Sequence, residues 1–200
     1  VLPGNNITSI ELDHNDDIWF ACYGQGVCKL RDGKFTYFTH QNGLASNNVL
    51  SIIQDRSLNM WFSTDGGGIL KFSGERFKHF TKKDGLPSEL IYALIEDRMG
   101  NVWMGTKGNG VCKYNGENFT YYNKSNGLCS DLIYTIAEDM EGNIWFGSKD
   151  NGISKFDGNR FYNYNNSNGL SENYVKDIIA DTTGNIWIGT YGGGICIFDG

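Results

Sequence analysis

Eight residues in five short turns of the chain have the chemistry to hold a small polar ligand. They are tyrosines, amides, lysines and carboxylates: Tyr23, Gln25, Asp65, Lys107, Asn109, Lys149, Asp150 and Tyr191. A tyrosine face can cover the apolar side of a sugar ring, while amide and charged groups hydrogen-bond to its hydroxyls. These turns therefore favour binding of an oligosaccharide or another small polar ligand. The alternative interpretation is a set of solvated loop tips.

The sequence contains no recognisable catalytic or metal-binding constellation. The histidines are His14, His40 and His79, which are too scattered to predict a catalytic pair. P-loop, GxSxG, HExxH and CxxC motifs are absent. Adjacent acids such as Glu138 and Asp139 point to opposite sides of a strand, so they do not form a glycosidase pair. We therefore expect a protein that is not an enzyme and that needs no metal or cofactor.

The composition narrows the class of protein and of partner. The 200 residues include 17 Lys and Arg against 23 Asp and Glu, a formal net charge of −6. This acidic balance argues against nucleic-acid binding, which requires clustered basic residues. No apolar run approaches the roughly 20 residues that span a bilayer, so we expect no membrane contact by this segment. The 27 glycines, 12 phenylalanines, 11 tyrosines and 5 tryptophans are typical of aromatic β-strands joined by tight turns.

A repeat of 42 residues organises the whole chain. It is marked by five tryptophans and five aspartates at constant spacing: Trp19, Trp61, Trp103, Trp145 and Trp187, with Asp13, Asp55, Asp97, Asp139 and Asp181. The copies cover residues 2–43, 44–85, 86–127, 128–169 and 170–200. Such a period is typical of repeat architectures.

Each copy predicts four short antiparallel strands. In the third copy they cover residues 91–96, 101–106, 111–114 and 118–122, separated by Gly- and Asn-rich turns. The second strand is apolar at consecutive positions, which indicates burial on both faces. A unit of this kind must stack on its neighbours, so the sequence predicts an all-β, five-bladed β-propeller forming one domain over residues 1–200.

The last copy stops after its third strand and therefore lacks the outer strand of its blade. An unpaired strand edge invites pairing with another chain. We therefore expect the chain to form part of a larger or assembled ring, with self-association through open blade edges.

Residues that recur in every copy are expected to build the fold. The tryptophans should wedge between adjacent blades, and the aspartates should cap the turn between the first and second strands. Calcium binding by these aspartates is not favoured, because residues 139–143 lack the alternating carboxylates of a calcium loop. Four copies share a lysine on the third strand, and its stem is expected to lie across a blade instead of binding an anion: Lys29, Lys71, Lys113 and Lys155.

Two copies depart from the pattern of the turn that follows each repeated aspartate. Gly100, Gly142 and Gly184 are replaced by Asp16 and Leu58 in the first two copies. If the turn keeps its shape, Leu58 must adopt a left-handed backbone at a cost of roughly 1–2 kcal/mol. The sequence therefore predicts that Leu58→Gly stabilises the protein.

The five cysteines do not predict a disulfide framework. Cys28, Cys112 and Cys196 occupy one position in alternate copies, which are too far apart to be bridged. Cys22 is expected to be a small buried filler. Cys129 lies in a loop and is expected to be the exposed thiol.

The repeat is similar to the two-component regulator propeller repeat, over the whole chain. The resemblance is carried by NGLASNNVLSIIQD at 42–55 and GNIWFGS at 142–148. It implies a propeller in the sensor ectodomain of a bacterial hybrid two-component system, located outside the cytoplasmic membrane. It also implies carbohydrate recognition, with signal reception as the only function of this segment. A protein-interaction propeller is one alternative, and an enzyme similar to streptogramin lyases is another.

Overall fold

The computed structural model describes residues 1–199, and these residues form β-strands joined by short turns. The first repeat contains β1 (Ile7–Leu12), β2 (Ile18–Cys22), β3 (Gly26–Arg31) and β4 (Lys34–Phe38). The second contains β5 (Val49–Gln54), β6 (Met60–Thr64), β7 (Ile69–Phe72) and β8 (Phe77–Phe80). The third contains β9 (Ile91–Glu96), β10 (Val102–Thr106), β11 (Val111–Tyr114) and β12 (Phe119–Tyr122). The fourth contains β13 (Ile133–Glu138), β14 (Ile144–Ser148), β15 (Ile153–Phe156) and β16 (Phe161–Tyr164). The fifth contains β17 (Val175–Ala180), β18 (Ile186–Thr190) and β19 (Gly194–Phe198).

The strands form five antiparallel sheets, one from each repeat and each in chain order. Four sheets have four strands and the last has three, so the predicted all-β organisation into five blades is confirmed. Two compact units are present, Val1–Leu94 and Ile95–Gly200, and each has a hydrophobic core of its own. The extent of the domain, residues 1–200, stays a prediction.

The core of the first unit is built where two sheets meet. Trp19 is 2% exposed and stacks on Phe38, with 5.4 Å between ring centroids. Its indole also contacts Phe62 and Phe72 of the following sheet. Burial of a tryptophan in this way contributes at most about 4–6 kcal/mol. The same arrangement recurs in the second unit, where Trp145 is fully buried and contacts Phe198.

The repeated aspartate fixes the turn before the second strand and also holds the tryptophan. In the fourth repeat one Asp139 oxygen accepts the backbone N–H groups of Glu141 and Asn143, at 3.0 and 2.8 Å. The other oxygen accepts the indole N–H of Trp145 at 2.8 Å. The predicted turn-capping geometry is therefore present. The bond between carboxylate and indole is an additional link that sequence spacing did not predict.

Gly147 shows why a small residue follows the apolar start of β14. A Cβ at this position would lie 2.5 Å from Thr135 Cγ2 and 2.7 Å from Val175 Cγ1. Both distances are far below van der Waals contact, because the paired strand β13 and the first strand of the next sheet both pack directly on the glycine. The close approach of β14 and β17 therefore depends on the missing side chain.

The two turns without glycine adopt the expected conformation. Leu58 has a φ of 66° and Asp16 a φ of 63°, close to the φ of 83° at Gly100. The predicted left-handed conformation of Leu58 is confirmed, and its side chain is 51% exposed. The strain is therefore not offset by burial of the leucine.

The longer loops between repeats contain short 3₁₀ turns that the sequence interpretation missed. They are His40–Asn42, Lys82–Asp84 and Lys124–Asn126. Each is preceded by a capping side chain and followed by a glycine with positive φ, as Asn123 and Gly127 illustrate. The capping box in the sequence, Thr or Asn followed three residues later by Asn or Asp, was the available signal.

One expectation for an individual side chain is extended and another is corrected. The lysine on the third strand lies across the blade as expected, and its ammonium group is also held there: Lys71 Nζ lies 5.0 Å from the Trp61 ring centroid and 3.6 Å from Asp55. Cys129 is only partly exposed, and burial raises the pKa of its thiol. Its backbone N–H also donates to Ser154 Oγ at 2.9 Å, which draws the loop inward.

The three-stranded last sheet has β19 at an edge, and its side chains are unusually exposed. Ile195 is 70% exposed and Ile197 is 53% exposed. The expected self-association through open edges stays a prediction. Among the described residues, no helix has the length and hydropathy to cross a membrane.

Candidate functional site

In the first unit, two of the predicted ligand residues are joined by a hydrogen bond. The Tyr23 hydroxyl donates to Asp65 Oδ2 at 2.7 Å. This bond to a carboxylate raises the pKa of the Tyr23 phenol. Gln25 lies in the same β2–β3 turn as Tyr23 and is exposed. The pair joins the β2–β3 turn of the first sheet to the β6–β7 turn of the second.

In the second unit, aromatic and cationic side chains gather at the ends of four strands, β13, β14, β17 and β18. We call this group the tyrosine cluster, defined as Tyr134, Lys149, Tyr174, Lys176 and Tyr191. Tyr174 is at its centre: its ring lies 5.8 Å from that of Tyr134 in an edge-to-face arrangement and 5.2 Å from that of Tyr191 in a stacked one. Three adjoining rings therefore present a mixture of faces and edges.

Two ammonium groups lie against the same rings. Lys149 Nζ is 5.9 Å from the Tyr174 centroid and 6.0 Å from the Tyr134 centroid. Lys176 Nζ is 5.2 Å from Tyr174 and 6.0 Å from Tyr134. Both lysines are exposed, so cation–π attraction contributes about 0.5–1 kcal/mol at each contact and leaves the ammonium protons accessible.

Backbone pairing beyond the ends of the strands positions the cluster. Tyr191 follows β18, and its N–H donates to the carbonyl of Tyr174, which precedes β17, at 2.8 Å. Lys149 follows β14, and its N–H donates to Leu132, which precedes β13, at 3.2 Å. The turn after each second strand is thus held against the start of the first strand in its own sheet. These turns carry the predicted ligand residues.

Asp150 is held beside this cluster by a buried serine. Its Oδ1 accepts the hydroxyl of Ser130 at 2.6 Å, and the same serine oxygen accepts the N–H of Leu132 at 3.0 Å. Lys107 and Asn109 lie in the β10–β11 turn and are exposed. The Asn109 N–H is used locally, donating to Thr106 Oγ1 at 3.1 Å.

The structure therefore groups the predicted residues in part. Lys149 and Tyr191 meet at Tyr174, whereas Tyr23 and Asp65 meet each other in the first unit. The sequence interpretation missed Tyr134, Tyr174 and Lys176, because residues at the start of a first strand were taken as part of the blade. The available signal was that these positions vary between repeats.

The histidines make local contacts in the first unit. His14 Nδ1 lies 3.1 Å from Gln54 Nε2, and His40 Nδ1 lies 3.0 Å from the Leu44 carbonyl. His79 Nε2 contacts the Gly67 carbonyl. Within residues 1–199, no group of three or more His, Cys, Asp or Glu side chains is arranged to hold a metal ion.

Comparison with known families identifies the repeat. Four segments of the chain match the family described as two component regulator propeller: residues 1–24, 85–108, 127–150 and 169–192. The resemblance of the repeat to the two component regulator propeller repeat is therefore confirmed over these four segments. A search of curated proteins found no match.

Solved structures with a similar fold include extracellular domains of two component and one component systems. The chain is 26% identical to the extracellular domain of the hybrid two component system BT3049 from B. thetaiotaomicron, with a TM-score of 0.86. It is 20% identical to the extracellular domain of the one component system BT4673 from the same organism, with a TM-score of 0.81. The alignments cover 96% and 99% of this chain but only 27% and 31% of those structures. The chain thus spans less than a third of these relatives.

A catalytically inactive virginiamycin B lyase from Staphylococcus aureus, solved with quinupristin, also has a similar fold. It is 16% identical, with a TM-score of 0.74, and the alignment covers 96% of this chain and 69% of the lyase. At this identity the likeness extends to the fold alone. The fold is therefore shared by extracellular domains of two component and one component systems and by a lyase, and the site must distinguish them.

Proposed function

We propose that this chain is the ligand-receiving part of an extracytoplasmic signalling receptor and that it performs no catalysis. The observation that carries the proposal is the match of four segments to the two component regulator propeller family. Support comes from the likeness to the extracellular domain of a hybrid two component system. A location outside the cytoplasmic membrane is part of the proposal.

The tyrosine cluster is the part of the surface that we propose binds the ligand. Three tyrosine rings offer apolar faces for stacking, and two lysines and Asp150 offer hydrogen-bonding groups around them. An oligosaccharide has matching surfaces, since its ring faces are apolar and its rim carries hydroxyl groups. We therefore propose a carbohydrate, or another small polyhydroxylated molecule, as the ligand class.

The proposal is tested by thermal unfolding of the full chain with a panel of neutral and acidic oligosaccharides. A ligand present at 100 times its Kd stabilises the folded state by about 2.7 kcal/mol, which raises the melting temperature measurably. Binding is then measured by calorimetry for Tyr191→Ala and Tyr174→Ala. We expect about tenfold weaker binding in each, because a stacking face is lost.

Tyr162→Ala is the matched control, because Tyr162 lies on β16 and contacts Arg160 and Asp157 instead of the cluster. It should bind as the unmodified protein does. If no oligosaccharide raises the melting temperature, carbohydrate recognition by this segment is wrong, and a protein partner becomes the alternative. Equal loss of binding in Tyr162→Ala and Tyr191→Ala would contradict the assignment of the site.

A further inference from the structure

A recess lies in the first unit, at the opposite end of the sheets from Tyr23 and Asp65. It is a cavity of about 550 Å³, which we call the first groove, and it lies between the turns that join β1 to β2 and β5 to β6. This volume is within the range of small-molecule sites. No residue of the tyrosine cluster lines this cavity.

The walls of the first groove are largely apolar. They are formed by Trp19, Phe38, Leu58, Met60 and Phe72. Trp19 and Met60 are buried in the core, so this floor is rigid, whereas Leu58 is 51% exposed and covers one side. Rigid aromatic walls next to solvent suit a ligand with a flat or branched apolar body.

Leu58 lines the groove in a backbone conformation that disfavours a side chain. Its φ is 66°, and three other copies place a glycine at this point of the turn. Strained residues persist where the surrounding structure or a function requires them. Since the leucine side chain is half exposed and faces a cavity, its contribution is to the wall of the cavity and not to the core.

The polar side of the groove carries cations at its surface, with their acidic partners buried beneath. Asp13 is 5% exposed, and its oxygens accept Asn15 N–H, Asp17 N–H and Trp19 Nε1–H. Lys29 Nζ lies 3.5 Å from Asp13 and also contacts Asp17.

Arg31 is the exposed cation of the groove. Its side chain is 63% exposed, and Nε lies 3.5 Å from Asp17 Oδ1. This ion pair uses the Nε side of the guanidinium. The terminal amino groups have the planar donor geometry that matches a carboxylate.

We propose that the first groove is a binding site for a small carboxylate with an apolar body. The apolar body lies against Leu58, Met60 and the aromatic wall, and the carboxylate accepts hydrogen bonds from the Arg31 guanidinium. The site is separate from the tyrosine cluster. If binding at one of the two sites is disproved, the proposal for the other site can still be tested.

The probe for this proposal is 3-phenylpropionate, with 3-phenylpropan-1-ol as the neutral control of the same shape. Each is titrated into the ¹⁵N-labelled full chain, and amide shifts are followed by NMR. We expect the carboxylate to shift the amides of Asn15, Leu58 and Gly74, which line the groove. The alcohol should bind about tenfold more weakly, because it lacks the charge-assisted bonds to arginine.

Two variants separate the guanidinium from the apolar wall. Arg31→Gln should weaken binding of 3-phenylpropionate about tenfold and leave the alcohol unchanged. Leu58→Gly should weaken both probes severalfold while raising the melting temperature, since it relieves the turn and removes part of the wall. Asp16→Gly is the matched control: it relieves the same left-handed conformation outside the groove lining and should leave probe binding unchanged.

Three results would overturn the proposal. They are an absence of shifts at the groove amides with 3-phenylpropionate, equal affinity for the carboxylate and the alcohol, and unaltered binding in Leu58→Gly. These results would not affect the proposed binding of oligosaccharides, because a rise in melting temperature with an oligosaccharide is assigned to the tyrosine cluster.

Discussion

The first groove has an equivalent in the second unit, which we call the second groove. The two grooves differ at positions whose residues vary between repeats. The second groove is about 280 Å³, half the volume, and its lining includes Met140, Glu141, Trp145, Lys155 and Gly184. Trp145 and Lys155 stand where the first groove has Trp19 and Lys29. By contrast, Gly184 of the second groove is equivalent to Leu58 of the first groove. Met140 of the second groove is equivalent to His14 of the first. The shared residues build a recess in both places, and the residues that vary give each recess its lining.

The charge beneath the two grooves also differs. In the second groove Asn143 lies between Asp139 and Trp145, and its amide donates to Asp139 Oδ2 at 2.8 Å. The first groove has Asp17 at the equivalent position, and this buried carboxylate is compensated by Lys29 and Arg31. A hydrogen bond from a neutral amide to the repeated aspartate in one repeat is therefore replaced in the other by a second buried carboxylate with its own cations. Arg31, paired with Asp17, is the exposed cation that this difference adds to the first groove, because the lysine is common to both grooves.

The largest expected effect concerns the repeated aspartate, which lines both grooves. Asp139→Ala should lower the free energy of unfolding by about 3–5 kcal/mol, because the buried donors of Trp145 and Asn143 lose their acceptor. Urea unfolding measures the loss. The matched control is Asp157→Ala, since Asp157 also accepts turn N–H groups, from Asn159 and Arg160, but is not bonded to a buried indole. It should cost much less than Asp139→Ala, and equal losses in the two variants would contradict the role of the indole bond.

The same aspartate predicts a pH dependence. Burial raises the pKa of Asp139, but hydrogen bonds from Trp145, Asn143 and Glu141 outweigh burial and hold the pKa below its ordinary value of 3.8. A carboxyl with a lowered pKa stabilises the folded state above its unfolded pKa, and this stabilisation is lost as pH falls through the folded value. As the pH is lowered below about 4, the urea concentration at the unfolding midpoint should therefore decrease. It should decrease less steeply in Asp139→Ala. A parallel decline in the two proteins would contradict this assignment.

The elements and the turns could be predicted from the sequence because each depends on local chemistry. The four strands of the third repeat are observed within one residue of their predicted limits. Leu58 adopts positive φ as its place in the turn required. Backbone conformation at these points is set by residues within one turn, and a period of 42 repeats the signal five times.

The sites could be predicted only in part, because they depend on distances between repeats. Tyr174 and Tyr191 are 17 positions apart and meet through backbone pairing beyond the strand ends. The first groove was not predicted at all, since its lining comes from two turns 42 residues apart and from side chains such as Phe72 that also pack in the core. Periodicity identifies what the copies share, whereas a binding site is made of what they do not share.

An intermediate effect is expected from the reciprocal change of the turn residue. Gly184→Leu gives the second groove the residue of the first, and it should lower the free energy of unfolding by about 1–2 kcal/mol. A Cβ at Gly184 meets no atom within 4 Å, so the cost is confined to its φ of 97°. Urea unfolding should show Gly184→Leu and Leu58→Gly with opposite signs. A neutral Gly184→Leu would show that the turn tolerates side chains, and the functional argument for Leu58 would lose its basis.

The smallest expected effect comes from transferring a side-chain bridge into the first groove. Arg98 occupies the position equivalent to His14, and its Nε donates to Glu138 Oε1 at 2.8 Å while its guanidinium also donates to the Met140 carbonyl at 2.8 Å. Gln54 occupies the repeat position equivalent to Glu138.

The double variant His14→Arg with Gln54→Glu should therefore raise the free energy of unfolding by about 0.5–1 kcal/mol, the range of a partly exposed ion pair. Each single change should do less, since the histidine already contacts Gln54 and a lone arginine or glutamate lacks the partner that the double variant supplies. A double-mutant cycle in urea gives the coupling free energy directly. The new guanidinium would also occupy the mouth of the groove, so 3-phenylpropionate should bind more weakly even though the protein is more stable. A favourable coupling with undiminished binding would place the ligand away from His14 and confine it to the Arg31 side of the groove.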